Sequence, residues 1–251
     1  MVLGVLRHNK AGYGLNYLRF AWHMGRNLPR FFGTERKHCP CCGAHARFLA
    51  FGSPPRFDVI CPRCGSFERH RQLQLWIDRN PERIDGARVL HFAPEGPVEA
   101  ALRPRAAQYT GADFAAGKAD VQLDIEAIAL PDASMDLVVC LHVLEHVRDR
   151  AALAEIHRVL APGGTALFMF PIVEAWAETL EEDALPAPIR STAERIRYFG
   201  QHDHVRYYGR DVRDRIRAAG FDLAEDVAQE PEVARHGLNR GETLFVATRA
   251  R

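Results

Sequence analysis

The chain has 251 residues, 33 Lys+Arg against 32 Asp+Glu, a formal net charge of +1 and 47% hydrophobic residues. Those figures exclude a mostly disordered chain and leave room for one large domain, or a medium domain with a small module. Charge balance removes any global attraction for nucleic acid, no apolar run reaches the ~20 residues that span a bilayer, and the basic residues from Arg7 to Arg26 break up any signal-peptide core.

Residues 1–37 form a basic, aromatic-rich segment. Leu15, Leu18, Trp22 and Gly25 recur at helical spacing, as do Arg19, His23, Arg26 and Arg30 on another face, and Pro29 ends the pattern. A basic amphipathic helix of this kind packs on its own domain with a solvated basic face. It can also lie peripherally on an anionic membrane or cover an anionic substrate.

Residues 38–72 hold five of the six cysteines. Cys39-Pro-Cys41-Cys42-Gly43 and Cys61-Pro-Arg-Cys64-Gly65 read C-x2-C-x18-C-x2-C. Two thiolates separated by two residues sit on one tight turn and face one ion, and the glycine after each pair permits the positive φ such turns use. The pattern predicts a small zinc ribbon with ligands Cys39, Cys42, Cys61 and Cys64, in a reducing compartment, hence cytoplasmic. Four thiolates close the coordination sphere, so the zinc is structural. Cys41 is spare, and Cys140 is expected to be a small buried apolar residue.

A helix follows, with Ser66 as its expected cap and residues 73–85 as helix and linker. Leu73, Leu75, Trp76 and Ile77 would dock it on the main domain. Arg69, His70 and Arg71 either share in that docking or touch an anionic ligand.

From residue 86 to 251, short β-branched runs alternate with helical patterns. Strands are expected at Arg88–Ala93, Gln108–Asp113, Asp120–Asp124, Met135–Leu141 and Thr165–Phe170, the last entered through Pro162-Gly163-Gly164. Helices are expected through Val98–Leu102, over Leu153–Leu160 and at Val212–Ala219. Phe221–Val227 and Leu244–Thr248 would form an antiparallel hairpin at the sheet edge. The alternation predicts an α/β fold with a parallel sheet covered on both faces, and 171–207 is left as a lid insertion.

Ligands of open parallel sheets bind at the carboxyl ends of the strands, so four tips converge on one expected pocket. Ala93-Pro-Glu-Gly-Pro97 is a small-residue turn. Asp113 can accept hydrogen bonds from ribose hydroxyls, with Phe114 beside it. Asp124 can meet an adenine amino group next to the apolar Ile125. Leu141-His142 closes the set.

With these residues in place, the chain resembles the class I S-adenosylmethionine-dependent methyltransferases over roughly residues 86–248. Leu130-Pro-Asp-Ala-Ser-Met-Asp-Leu-Val-Val-Cys-Leu-His-Val-Leu-Glu-His-Val147 is similar to their fourth-strand motif, and Glu155-Ile-His-Arg-Val-Leu-Ala-Pro-Gly-Gly164 to their turn before the fifth strand. The resemblance implies a Rossmann-like seven-stranded sheet whose last strand inserts antiparallel, and S-adenosylmethionine as cofactor. The family's first loop reads acid-x-Gly-x-Gly-x-Gly, and here those positions are His91, Ala93, Glu95 and Pro97, with Gly96 between the last two. For this loop to hold the cofactor, the Glu95 carboxylate must take over the contact to its amino group.

Methyl transfer is an in-line displacement for which the protein supplies alignment and, where needed, a base. His202-Asp-His-Val-Arg206 in the insertion suggests His204 or His202 as base, Asp203 as its orienting partner and Arg206 as a grip on an anionic acceptor. Glu145 and His146 stand beside the fourth tip. In some ubiquinone-pathway O-methyltransferases the resembling position reads acid-x-x-Glu-His and binds a divalent ion. Glu145 and His146 match that pattern, His142 replaces the acid, and Asp203 or His204 could complete it.

The leading expectation is methylation of a small or carrier-bound metabolite at O, N or S. Alternatives are a zinc-ribbon RNA methyltransferase, with the basic N-terminus, Arg69 and Arg71 tracking phosphates, and a non-catalytic zinc-ribbon adaptor.

Overall fold

The computed structural model describes residues 32–251, less positions 34, 53, 54 and 186. The basic helix expected near the N-terminus lies outside the described residues.

Two small hairpins frame the cysteines. β1 (Lys37–His38) pairs with β2 (His45–Ala46), and β3 (Leu49–Phe51) with β4 (Arg56–Ile60), both antiparallel. The first knuckle lies between β1 and β2 and the second follows β4. Gly43 and Gly65 both take φ of +70°, as the turn demands. Their N–H groups donate to Cys39 O at 2.8 Å and Cys61 O at 2.9 Å.

α1 (Glu68–Arg79) leaves the second knuckle, with Phe67 at its N-cap. Ser66 is therefore not the cap. Its hydroxyl instead lies 3.3 Å from both Cys39 Sγ and Cys64 Sγ. Leu73, Trp76 and Ile77, spaced three and four apart, bury one face of α1 against the main sheet. Each such side chain contributes about 1.5–3 kcal/mol. The boundary expected between residues 72 and 73 thus falls inside one continuous helix.

The main sheet has seven strands: β5 (Arg88–Phe92), β6 (Gln108–Asp113), β7 (Val121–Gln122), β8 (Met135–Leu141), β9 (Leu160–Met169), β12 (Phe221–Val227) and β13 (Thr243–Arg249). Their order is β12-β13-β9-β8-β5-β6-β7. β5 to β9 pair in parallel, while β13 runs antiparallel between β9 and β12. Strand order reverses between β5 and β8, which makes the space beyond their carboxyl ends the natural ligand position.

The period-two alternation of β5, β8 and β9 sorts their side chains onto two faces. Leu90, Val138, Cys140, Ala166 and Phe168 meet α3 (Asp149–Val159) and α5 (Val212–Ala218). Val89, Leu137, Val139, Leu141 and Leu167 meet α1 and α2 (Gly96–Leu102). Cys140 is fully buried, as expected of a small apolar side chain.

Two strands differ from expectation. β9 begins at Leu160, because Met135 already pairs with Leu160 and a register shift after Met135 absorbs Pro162-Gly163-Gly164. A Cβ at Gly164 would lie 2.8 Å from Ala161 O, so only glycine fits that bend. β7 is cut to two residues, since Asp124 turns its carboxylate onto the Glu126 N–H and ends the ladder.

Within 171–207, β10 (Leu180–Glu181) pairs with β11 (Arg206–Tyr207). α4 (Thr192–Phe199) is capped by Ser191 Oγ, which accepts from Glu194 N at 3.2 Å. A last short helix, α6 (Glu232–His236), packs beside β1. Among the described residues no helix is long and apolar enough to cross a membrane.

Candidate active site

Four of the expected tips meet at one cavity of about 700 Å3 at the reversal of strand order. It is lined by Ala93, Asp113, Phe114, Asp124, Ile125 and His142, with His146 and Asp203 on the same wall. That volume suits a ligand of nucleoside-conjugate size. Phe92, Leu123, Glu126, Val143 and Val147 also line it. The sequence reading missed these five, although each is an immediate neighbour of a predicted tip residue or of His146.

Local backbone shapes the cavity. Ala93 and His142, the first residues after β5 and β8, take positive φ of 47° and 53°. Left-handed conformations in non-glycine residues cost about 1 kcal/mol each and persist only where surroundings impose them. Here the Ala93 N–H is tied to Ala112 O at 2.8 Å and the His142 N–H to Met169 O at 2.7 Å. Asp113 and Asp124 each accept a bond from the backbone N–H two residues on, at 2.7 and 2.8 Å. This fixes each rotamer and leaves a second carboxylate oxygen for a ligand.

His142 Nδ1 lies 3.2 Å from Glu145 Oε1, while His142 Nε2 and Glu145 Oε2 are buried without partners among the described residues. His142 lines the cavity, and Glu145 lies buried behind it, outside the lining.

The lid brings a second set of groups. Asp203 Oδ2 lies 3.4 Å from His146 Nδ1 and Asp203 Oδ1 lies 3.7 Å from His202 Nδ1. Burial pushes the Asp203 carboxyl up, but Gln201 and the two histidines outweigh it, and the net direction is downward. His204 is buried, with Nδ1 3.0 Å from Phe199 O, and burial lowers its pKa. His202 is exposed and does not line the cavity. Asp203 thus stands beside His146 at the cavity as well as beside its expected partner His202. Glu145, His146 and His204 each offer one ligand atom within 4.8 Å of the others, a spacing compatible with one divalent ion.

Arg206 corrects an expectation. It is buried and donates to Leu144 O at 2.7 Å, to Val147 O and to Glu181 Oε1 at 3.1 Å. Bound to the turn that carries Glu145 and His146 and facing Asp149 with Nη2 at 3.7 Å, it holds that turn and does not line the cavity.

The first loop also departs from expectation. Glu95 does not line the cavity. Its carboxylate accepts from Arg69 Nε at 3.0 Å and from Arg69 Nη2, and His70 Nε2 lies 2.8 Å from Oε2. Burial works to raise the Glu95 pKa, but His70 and Arg69 hold it down at about 2. His91 points into the sheet core, with Nδ1 2.8 Å from Tyr109 Oη. Burial drives its pKa down to about 4, partly offset by Glu95. Leu141 is buried and Gly96 is the first residue of α2, and neither lines the cavity.

Cys39, Cys42, Cys61 and Cys64 place their sulfur atoms within 4.8 Å of one another, two of the pairs at 3.6 and 3.8 Å. A tetrahedral zinc with Zn–S near ~2.3 Å requires sulfur separations of about 3.8 Å, so the four residues fit the ion. Cys41 lies outside this set, its Sγ 3.6 Å from His70 O.

Neither arginine invoked for phosphate tracking is free. Arg69 is bound to Glu95. Arg71 is fully buried and donates to five carbonyls, those of Asp58, Val59, Ser66, His236 and Gly237.

Comparisons with known proteins bear on this geometry. Residues 93–168 match the family model described as a methyltransferase domain. Malonyl-[acyl-carrier protein] O-methyltransferase of Serratia marcescens is 40% identical over 78 residues. That alignment takes in 26% of this chain and 31% of the relative, so the chain spans about a third of that protein. Among solved structures, the YcgJ protein of Bacillus subtilis superposes with a TM-score of 0.50 at 17% identity, covering 72% of this chain and 99% of its own. The [4+2]-cyclase SpnF superposes with a TM-score of 0.51 at 16% identity, covering 74% and 84%. These likenesses concern the fold, and the cyclase illustrates that such a fold does not dictate one reaction.

Proposed function

We propose that the protein is an S-adenosylmethionine-dependent enzyme that transfers a methyl group to a small or carrier-bound acceptor at O, N or S, with His146 as base; the match of residues 93–168 to a methyltransferase domain supports this. The observation that carries this reading is the convergence of Ala93, Asp113, Asp124, His142 and the His146–Asp203 pair on one cavity.

S-adenosylmethionine, when bound, supplies an electrophilic methyl carbon. Asp113 would accept from ribose hydroxyls through its free oxygen, and Asp124 with Ile125 would meet the adenine. Phe114, 75% exposed, offers an aromatic face at the rim. His146 would take the acceptor's proton on Nε2, with Asp203 accepting from Nδ1–H and so selecting the tautomer that leaves Nε2 free. Buried Arg206 keeps the turn bearing His146 in place. A carrier-bound acceptor draws support from the Serratia relative, whose name specifies an acyl-carrier protein substrate.

Titration calorimetry with S-adenosylmethionine and its demethylated product tests the cofactor, and a mass-shift screen for products heavier by one CH2 tests the reaction. Asp113→Ala should weaken cofactor binding roughly 10- to 100-fold, the loss of a charge-assisted hydrogen-bond pair. No binding by the native protein at millimolar concentration would overturn the reading.

A further inference from the structure

We infer that the zinc module braces the cofactor loop: Arg69 and His70 hold Glu95, and through it residues 93–97, in the shape that leaves the cavity open, so that loading the four cysteines tightens cofactor binding. The inference rests on the cofactor reading above and adds three positioning residues to it.

The loop needs an outside support. Ala93 holds a left-handed φ of 47° that glycine would adopt without strain, and Pro94 lies tight against Gly111, where a Cβ would meet Pro94 Cγ at 3.3 Å. Between Ala93 and α2, the loop's charged side chain is Glu95, and that carboxylate is gripped by two residues of α1. His70 Nδ1 accepts from the Phe67 N–H at 3.1 Å, so the ring proton sits on Nε2, which lies 2.8 Å from Glu95 Oε2 without hydrogen-bond alignment; the direction of the grip comes from Arg69. Arg69 meets both carboxylate oxygens in the bidentate arrangement that carries the most geometric information.

The position of this grip is set by the cysteines. Arg69 and His70 stand five and six residues after Cys64. Ser66 is fully buried between them and the knuckles, with its hydroxyl against Cys39 Sγ and Cys64 Sγ and its carbonyl accepting from Cys61 N at 3.0 Å. Cys41 Sγ touches the His70 carbonyl. Without the cation the four sulfur atoms take up protons and lose the shared bonds that tie the two knuckles together. The second half of α1 would stay docked through Leu73, Trp76 and Ile77. Loss of zinc therefore acts on the first turn of α1, which is where the grip originates.

The test uses the full-length protein, with the demethylated cofactor product as calorimetric probe. Affinity is measured before and after zinc removal, and for Arg69→Ala, Glu95→Gln, Glu95→Gly and the Arg69→Ala/Glu95→Gln double variant. Each single change and zinc removal should weaken binding roughly tenfold or more, the scale of one charge-assisted contact. The double variant should be no worse than the worse single, and zinc removal from Glu95→Gln should add little. Amide exchange supplies a readout that needs no cofactor: residues 93–97 should exchange faster on zinc removal while β5 and β8 keep their protection. Unchanged affinity and unchanged exchange on zinc removal would overturn the inference, as would Glu95→Gly binding as tightly as the native chain. Absence of binding by the native, zinc-loaded protein would instead strike the cofactor reading, and the exchange result would still decide the brace.

Discussion

Replacing His91 with Gln should flatten the acid limb of the stability curve. The ring is fully buried on β5, its Nδ1 against Tyr109 Oη and its Nε2 without a partner among the described residues. Burial lowers its pKa from 6.5 to about 4, with Glu95 pulling it back up and His70 adding to the fall. The folded state therefore refuses a proton that the unfolded chain accepts below pH 6.5. The sign follows: stability is fully present above pH 6.5 and is lost as pH falls towards 4. At ~1.4 kcal/mol per pH unit, roughly 3 kcal/mol disappears across that interval. Between pH 7.5 and 5.5 the share is about 1.3 kcal/mol. Gln keeps a hydrogen-bonding partner for Tyr109 and does not titrate.

The assay is urea unfolding of the native chain and His91→Gln at pH 7.5, 6.5 and 5.5, and the quantity read is the difference of their slopes. Any shared loss of zinc cancels in that difference. Glu95 does not intrude, because its contribution is lost only as pH falls from 4.5 to about 2, below the window. Parallel curves for the two proteins would refute the reasoning and mean that the site accommodates the charged ring.

His146→Gln should lower kcat by roughly 100-fold or more while cofactor affinity stays within about twofold, as expected for a lost base. Asp203→Asn should cost less, and full turnover in His146→Gln would remove it as base. Arg71→Lys should destabilise the protein by about 3 kcal/mol in urea, because an ammonium has three donors for the five carbonyls that the guanidinium serves. A loss below about 0.5 kcal/mol would show that the five bonds are not needed.

Much of the sheet could be read from the chain, because near-continuous apolar runs at Val89–Phe92 and Leu137–Leu141 bury both faces and leave few alternatives. The cysteine spacing led directly to four sulfur atoms within one coordination sphere. The cavity tips Asp113, Asp124 and His142 followed from the rule that parallel strands present ligands at their carboxyl ends. What escaped were side-chain partners far apart in sequence. Arg206 looked free beside His202 and His204, yet it is buried under a turn some 60 residues upstream. Asp203 keeps its sequence neighbour His202 at 3.7 Å, and the fold adds the distant His146 at 3.4 Å. Glu95 and Arg69 are separated by 26 residues, and no periodicity links them.

The first loop shows how a local departure from a glycine pattern can be coherent. Three of the four positions that differ have a use of their own in this fold. His91 fills the core beneath Tyr109, Glu95 anchors the loop to α1, and Pro97 sits in the first turn of α2, where its missing N–H costs nothing and its fixed φ suits a helix. Ala93 alone carries strain, and its neighbours bear it through the bond to Ala112 O. A loop of glycines gains its fit by freedom and loses that freedom when a ligand orders it. A loop held by a proline, a bidentate arginine and a buried histidine has already lost it. Its contribution to affinity then depends on the support staying in place, which ties the cysteine cluster to the cavity through Glu95.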